Sequence, residues 1–326
     1  MIISSTPLRI SFVGGGSDIP SFYREEMGAV VSTAINKYIY VTVNNRFEKG
    51  FRLGYSKTEI VDEVDAIQHK VLRAALKRLK IPGGIEITSV ADIPSHGTGL
   101  GSSSSFTVGL LNALHTYKRD FRSAEDLCKE ACEVEMVDCE DPIGKQDQYI
   151  AAYGGFKFIQ FNPDESVFVD PIICRLETLE QLQSNLLLLH TGFGHSAADI
   201  LKAQSEVLLK NPEKKLLLKK MVQLAFLMKE ELQKNNLDSF GEILHENWML
   251  KREITDGISN TQIDSWYEKA LKAGAIGGKL LGAGGGGFLI FYAPKEKHES
   301  IKKSLPELRP VDIRFEKQGS KIIFIH

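Results

Sequence analysis

One stretch constrains this chain more than any other: Pro94 to Leu114, PSHGTGLGSSSSFTVGLLNAL. Gly97, Gly99 and Gly101 alternate, four serines follow, and Phe106, Leu110 and Leu114 then recur at helical spacing. A strand-like run, Gly84 to Val90, comes before it. Strand, glycine loop and helix in that order turn backbone amides inward on a ligand, and the helix adds its free N–H groups and positive dipole end. The stretch implies a bound phosphate. A simple N-cap would need one serine, not four.

Three better-known patterns are excluded. A P-loop needs GxxxxGK[ST], but no lysine follows Gly101, and Gly278-Lys279 is followed by Leu280. Gly282, Gly284 and Gly287 match GxGxxG, yet a helical pattern precedes them and a strand pattern follows, the reverse of a dinucleotide fold. A serine-hydrolase elbow, GxSxG, is absent.

The rest of the chain reads as a folded α/β protein. Its 326 residues are enough for one large domain or two ordinary ones, and 43% hydrophobic content builds a full core. Net charge is −2 with dispersed Lys and Arg, which argues against nucleic-acid or membrane-surface binding. No apolar run approaches the roughly 18 residues of a membrane span. The opening MIISSTPLRISF does not read as a signal peptide, so a cytoplasmic location is expected. Cys128, Cys132, Cys139 and Cys174 form no CxxC pair and read as reduced thiols rather than a zinc site.

Along the chain, residues 2–13 predict a strand with Pro7 marking an edge or a bend, followed by the turn Gly14-Gly15-Gly16-Ser17-Asp18. Ala29 to Val43 is strand-rich, and Ile67 to Leu79 carries a helical apolar stripe. Ser123 to Asp126 is a capping box opening a helix to about Cys139, with Cys128, Cys132, Glu135 and Cys139 along one face. Asp141 to Gln148 reads as a loop unusually rich in ionisable groups, and Phe156 to Phe161 as a strand. Residues 163–184 carry few signals and suggest a boundary, giving domains 1–175 and 176–326. Beyond it come a buried strand at Leu186–Leu189, two helices split at Asn211-Pro212, and helices at Phe240–Lys251 and around Trp266. Strand signals follow at Phe288–Tyr292, Val311–Phe315 and Lys321–Ile325.

Three stretches taken in order carry a resemblance: Pro7-Leu8-Arg9-Ile10-Ser11-Phe12-Val13-Gly14-Gly15-Gly16-Ser17-Asp18, the central Gly99-Leu100-Gly101-Ser102-Ser103, and Lys279-Leu280-Leu281-Gly282-Ala283-Gly284-Gly285-Gly286-Gly287. Together they resemble the three signature motifs of the GHMP kinases. Within that family the chain looks most like the sugar-phosphate kinases of heptose activation. Gly14–Asp18, Ala34–Tyr38, Tyr55–Glu59 and Gly144–Gln148 carry this closer likeness. Galactokinases instead end motif one in Gly-Glu-His-Thr/Asn-Asp.

The resemblance implies a two-domain fold: an N-terminal α/β domain with a left-handed βαβ-type phosphate loop, and a C-terminal ferredoxin-like domain. It implies ATP, with its phosphates on Gly97, Thr98, Gly99, Leu100, Gly101, Ser102, Ser103 and Ser104. Ser103 and Glu135 would hold Mg²⁺. Asp147 would be the catalytic carboxylate, and Arg9 would pair with it and offset charge on the moving phosphoryl group. Asp18 would bind sugar hydroxyls, with Ser17, Gly15 and Gly16 in the turn beneath it. Gly284, Gly285 and Gly286 would lie against the phosphates or support the second motif.

The implied reaction is phosphorylation of the anomeric hydroxyl of a sugar phosphate, D-glycero-D-manno-heptose 7-phosphate giving the 1,7-bisphosphate. Fucose-, arabinose- or galactose-type 1-kinases, or a non-catalytic sugar and ATP sensor, stand as alternatives. The substrate's own phosphate needs basic partners, for which Lys145, Lys37, Arg24 and His195 stand unranked, and His96 has no assigned part. A monomer or homodimer is expected.

Overall fold

The computed structural model describes residues 1–93, 97–192 and 197–326. Its centre is a pair of long antiparallel strands, β1 (Ile2–Val13) and β2 (Gly28–Asn45). β1 is buried along nearly its whole length. The helices Ser102–Tyr117, Gln146–Tyr153, Pro212–Gln233 and Phe240–Arg252 all pack on it. With cover on both faces, even its polar residues Ser4, Ser5, Thr6, Arg9 and Ser11 are buried.

β2 is long enough to serve two neighbours on its other edge. Its first part, from Gly28, pairs with β6 (Phe156–Phe161), and its second, from Ile39, pairs with β5 (Ile85–Ala91). β3 (Phe51–Gly54) runs parallel to β5, and β4 (Thr58–Val61) follows it to the edge. β7 (Val167–Pro171) extends β6. The bend expected at Pro7 is a shift of register. Pro7 pairs with Tyr38 and Leu8 with Ile35, so Asn36 and Lys37 have no β1 partner, and the missing proline N–H falls at the break.

The second sheet is antiparallel, built from β8 (Leu186–His190), β9 (Gly277–Leu280), β10 (Phe288–Tyr292) and β11 (Arg309–Pro310) in the order β11-β8-β10-β9. Counted within that sheet the order is 4-1-3-2. Helices lie between its first and second strands and again between its third and fourth, which is the split βαβ arrangement of a ferredoxin-like fold. The chain then returns, and β12 (Lys321–Ile325) adds to β1 at the edge of the first sheet.

Phe12 joins the layers. Its ring lies edge-on to Phe156 of β6 at 5.6 Å and to Phe240 at 5.4 Å. Each such contact adds about 1 kcal/mol beyond simple burial.

Two segments depart from expectation. Residues 163–184, quiet in sequence, hold β7 and the helix Leu176–Ser184. Val311 to Phe315 does not form the expected strand. Arg309–Pro310 pairs with β8, Val311 N donates to the Leu188 carbonyl at 2.9 Å, and Phe315 makes a single bridge to Ile35. No helix among the described residues is long and apolar enough to cross a membrane.

Candidate active site

The glycine loop leads into the helix Ser102–Tyr117 through Gly101, whose φ of 75° is left-handed. Among the described residues no side chain caps this helix, so its first amides remain available to a ligand. The four serines divide their work. Ser102, Ser103 and Ser104 line a cavity, whereas the Ser105 hydroxyl donates to the Pro7 carbonyl at 2.8 Å and ties the helix to β1. Gly97, Thr98, Gly99 and Gly101 also line the cavity, and Leu100 is buried behind it. His96 lies outside the described residues.

The third glycine stretch meets the second backbone to backbone. A Cβ at Gly282 would stand 2.5 Å from Gly99 Cα, and one at Gly99 would run into the Leu281 carbonyl oxygen. Gly282 and Ala283 reach the cavity. Gly284 and Gly285 instead turn onto Ile258, with Gly285 N donating to its carbonyl at 3.0 Å.

Arg9 and Asp147 form a two-pronged pair. Nε donates to Oδ1 at 2.6 Å and Nη2 to Oδ2 at 2.7 Å, while Nη1 donates to the Gly99 carbonyl at 2.6 Å. One guanidinium thus fixes both the carboxylate and the glycine loop. Asp147 sits in the first turn of the helix Gln146–Tyr153, so the segment expected as a loop becomes helical at Gln146.

Asp18 is buried close by. Oδ1 accepts from Gly16 N at 2.9 Å, and Oδ2 from Gln146 N at 3.2 Å. Burial pushes its carboxyl up, the Gly16 amide opposes this, and the Asp147 charge raises it further. Gly15 and Gly16 line the cavity. Ser17 does not: its hydroxyl donates to the Ala29 carbonyl and accepts from the Ala29 amide, so it closes the turn onto β2 rather than facing a ligand.

Glu135 lies beneath the glycine loop, fully buried. The helix Ala124–Glu133 widens after its end, with Cys139 N bonded to the Val134 carbonyl five residues back. This extra residue per turn seats Glu135 inside and moves Cys139 toward the surface, off the face that regular spacing predicted. Glu135 Oε1 accepts from Thr107 at 2.9 Å and Ser103 at 3.3 Å, and Oε2 from Gln148 at 2.6 Å. Burial raises its carboxyl from the usual 4.5 to about 7, partly offset by hydrogen bonds. The stability from this group is therefore full below pH 4.5 and is lost as pH rises through about 7.

Replacing Glu135 with Gln removes that ionisation cost, about 3 kcal/mol. Gln148 can reverse its amide to accommodate the new donor, because its Oε1 has no partner among the described residues. In urea unfolding with a metal chelator, Glu135→Gln is expected to be more stable than the parent at about pH 8 and equal to it at pH 4.5. Equal midpoints at both pH values would reject this account.

Of the basic residues considered for a substrate phosphate, Lys37 sits at the β2 bulge away from the cavity and His195 is outside the described residues. Arg24 and Lys145 line a second, adjoining cavity of about 510 Å³, and both are paired with Glu165, whose carboxyl they help pull down to about 2. Two lysines that were not among the candidates for the substrate phosphate do line the glycine-loop cavity, Lys251 and Lys279. Lys251 had a legible signal: it stands seven residues after Leu244 and four after Asn247, within the buried stripe of its helix.

An uncapped helix end, a glycine loop and a guanidinium–carboxylate pair around one cavity define the class as phosphotransferase-like. Comparison with known proteins agrees. The GHMP kinases N terminal domain model matches residues 66–155, and the GHMP kinases C terminal model matches 228–309. The chain is 30% identical to the D-glycero-alpha-D-manno-heptose 7-phosphate kinase of Campylobacter jejuni, over 98% of each chain. It is 26% identical to the galactokinase of Pyrococcus furiosus, over 92% of this chain and 91% of that one. A crystal structure of a D-glycero-D-manno-heptose 1-phosphate kinase from Bacteroides thetaiotaomicron superposes with a TM-score of 0.81 at 25% identity, covering 100% of both chains. The chain belongs to the GHMP kinase family and is a sugar kinase of that family.

Proposed function

We propose that this kinase transfers the γ-phosphoryl group of ATP to the anomeric hydroxyl of a heptose phosphate, D-glycero-D-manno-heptose 7-phosphate giving the 1,7-bisphosphate. The observation that carries the reading is the Arg9–Asp147 pair facing the same cavity as the uncapped helix end. The likeness to a heptose 7-phosphate kinase along the full chain supports the choice of sugar.

The ATP phosphates accept from the amides of Gly97 to Ser104, where the helix dipole favours negative charge. Asp18 orients the sugar hydroxyls, itself held by the Gly16 and Gln146 amides. Asp147 accepts the proton of the anomeric hydroxyl as its oxygen bonds to the γ-phosphorus and ADP departs. The Arg9 fork uses two of the carboxylate's four lone-pair positions and leaves the others for that proton. Ser103 and Glu135 present a hydroxyl and a carboxylate oxygen 3.3 Å apart, a hard-oxygen donor pair that would hold Mg²⁺. When bound, Mg²⁺ supplies neutralisation of the phosphate charge.

The test is an ATP-consumption screen with Mg²⁺ over free sugars and sugar phosphates, read by coupled ADP release. Turnover is expected with the heptose 7-phosphate and to be much slower with free hexoses. Turnover confined to free fucose, arabinose or galactose would overturn the substrate assignment, and ATP binding without turnover on any sugar would overturn catalysis.

A further inference from the structure

Lys251 and Lys279 are 5% and 4% exposed, yet both line the reaction cavity. Among the described residues neither ammonium has a carboxylate partner. Lys251 Nζ donates to the Gly15 carbonyl at 3.2 Å and the Gln204 side-chain oxygen at 2.9 Å. Lys279 Nζ donates to the Ser11 carbonyl at 2.9 Å. Each ammonium carries three N–H donors, so together they hold donors to spare. Around them, Gln204 Nε2 and the Ser11 hydroxyl are also buried without a partner among the described residues. Buried charge with unspent donors is costly unless a ligand completes it.

Local backbone keeps the way open. A Cβ at Gly16 would stand 2.5 Å from Gln204 Nε2 and 2.9 Å from Lys251 Nζ, so a side chain there would push both groups away. Asn247, one turn before Lys251, holds the same motif-one turn by accepting from Gly14 N at 3.0 Å. The cluster thus borders the Asp18 side of the cavity. It draws on elements of the second sheet layer, while the glycine loop and its helix supply the other anion site.

We infer that Lys251 and Lys279, with the Gln204 side-chain amide, form a second anion pole that binds the phosphate the sugar substrate already carries. The inference rests on the sugar-phosphate reading above and assigns the residues that give it specificity. Burial lowers both ammoniums, Lys251 to about 8 and Lys279 to about 7, and Lys251 further lowers Lys279. A bound dianion offsets both effects. The Arg24 and Lys145 pair in the adjoining cavity is the weaker candidate because both cations already share the Glu165 carboxylate.

The experiment compares the parent, Lys251→Met, Lys279→Met and the double variant Arg24→Ala/Lys145→Ala on D-glycero-D-manno-heptose 7-phosphate and on the same heptose without its phosphate. Methionine keeps length and apolar bulk in a buried position, and ATP binding by calorimetry reports folding. Each methionine variant is expected to lose roughly 10- to 100-fold in kcat/KM on the phosphorylated sugar, mostly through KM, and far less on the free sugar. Without ATP, the 7-phosphate should raise the melting temperature of the parent but not of these variants. The Arg24/Lys145 variant should keep its preference for the phosphorylated sugar.

Equal losses on both sugars through kcat, with the ATP-free melting shift retained, would assign the lysines to the transferred phosphoryl group and overturn the inference. Loss of preference only in the Arg24/Lys145 variant would move the site to the adjoining cavity. A parent inactive on the 7-phosphate would instead overturn the functional reading itself.

Discussion

Asp147→Asn is expected to lower kcat by roughly 1,000- to 10,000-fold while leaving ATP binding within a few-fold of the parent. The substitution keeps size and removes the carboxylate proposed to take the anomeric proton. Arg9 stays anchored by the Gly99 carbonyl and the glycine loop is not disturbed, so the nucleotide site survives. The asparagine amide offers one acceptor where the carboxylate offered two, so one prong of the fork is lost. Single-turnover rates with saturating ATP isolate the chemical step. A fall of less than ten-fold would mean that positioning and electrostatics carry the rate and that Asp147 is not the base.

Gly99→Ala is the second large effect. Gly99 has φ of 71°, and its Cβ would strike the Leu281 carbonyl, backbone that cannot move aside without the third glycine stretch. Left-handed strain alone costs on the order of 1–3 kcal/mol. The clash adds to it and parts the two glycine loops where Gly282 and Gly99 touch. ATP affinity should fall by at least about 100-fold, with a lowered melting temperature. Gly257→Ala is the control: φ is 85°, but its Cβ meets nothing within 4 Å, so only the strain remains. Calorimetric ATP titration of both variants checks this, and equal affinities would show that the loop contact does not shape the nucleotide site.

These effects differ in how visible they were beforehand. The glycine loop, its helix and the capping box at Ser123 were legible because they depend on residues within a few positions of one another. The three motifs were legible as a set, and the residues they carry do meet: Arg9 from the first, Gly99 from the second and Gly282 from the third converge within one cavity. Ser17 could be placed in the turn beneath Asp18, but its partner, Ala29, lies across a turn that spacing cannot locate. The seat of Glu135 was readable in outline from the Cys128 and Cys132 stripe. The widened turn that delivers it was not, since one residue added to a helix leaves no compositional trace.

Sequence alone determined the local chemistry: where a glycine loop runs into a helix, where a capping box opens one, and which carboxylates belong to motifs. Those features arise from steric and hydrogen-bonding terms that act over a few residues. Only the tertiary structure decided which charges meet. Arg24 and Lys145 look as suitable for a phosphate as Lys251 and Lys279, until folding pairs the first two with Glu165 and leaves the second two buried with no carboxylate partner among the described residues. Coulomb and desolvation energies depend on separation and burial in space, and neither is a property of position along the chain.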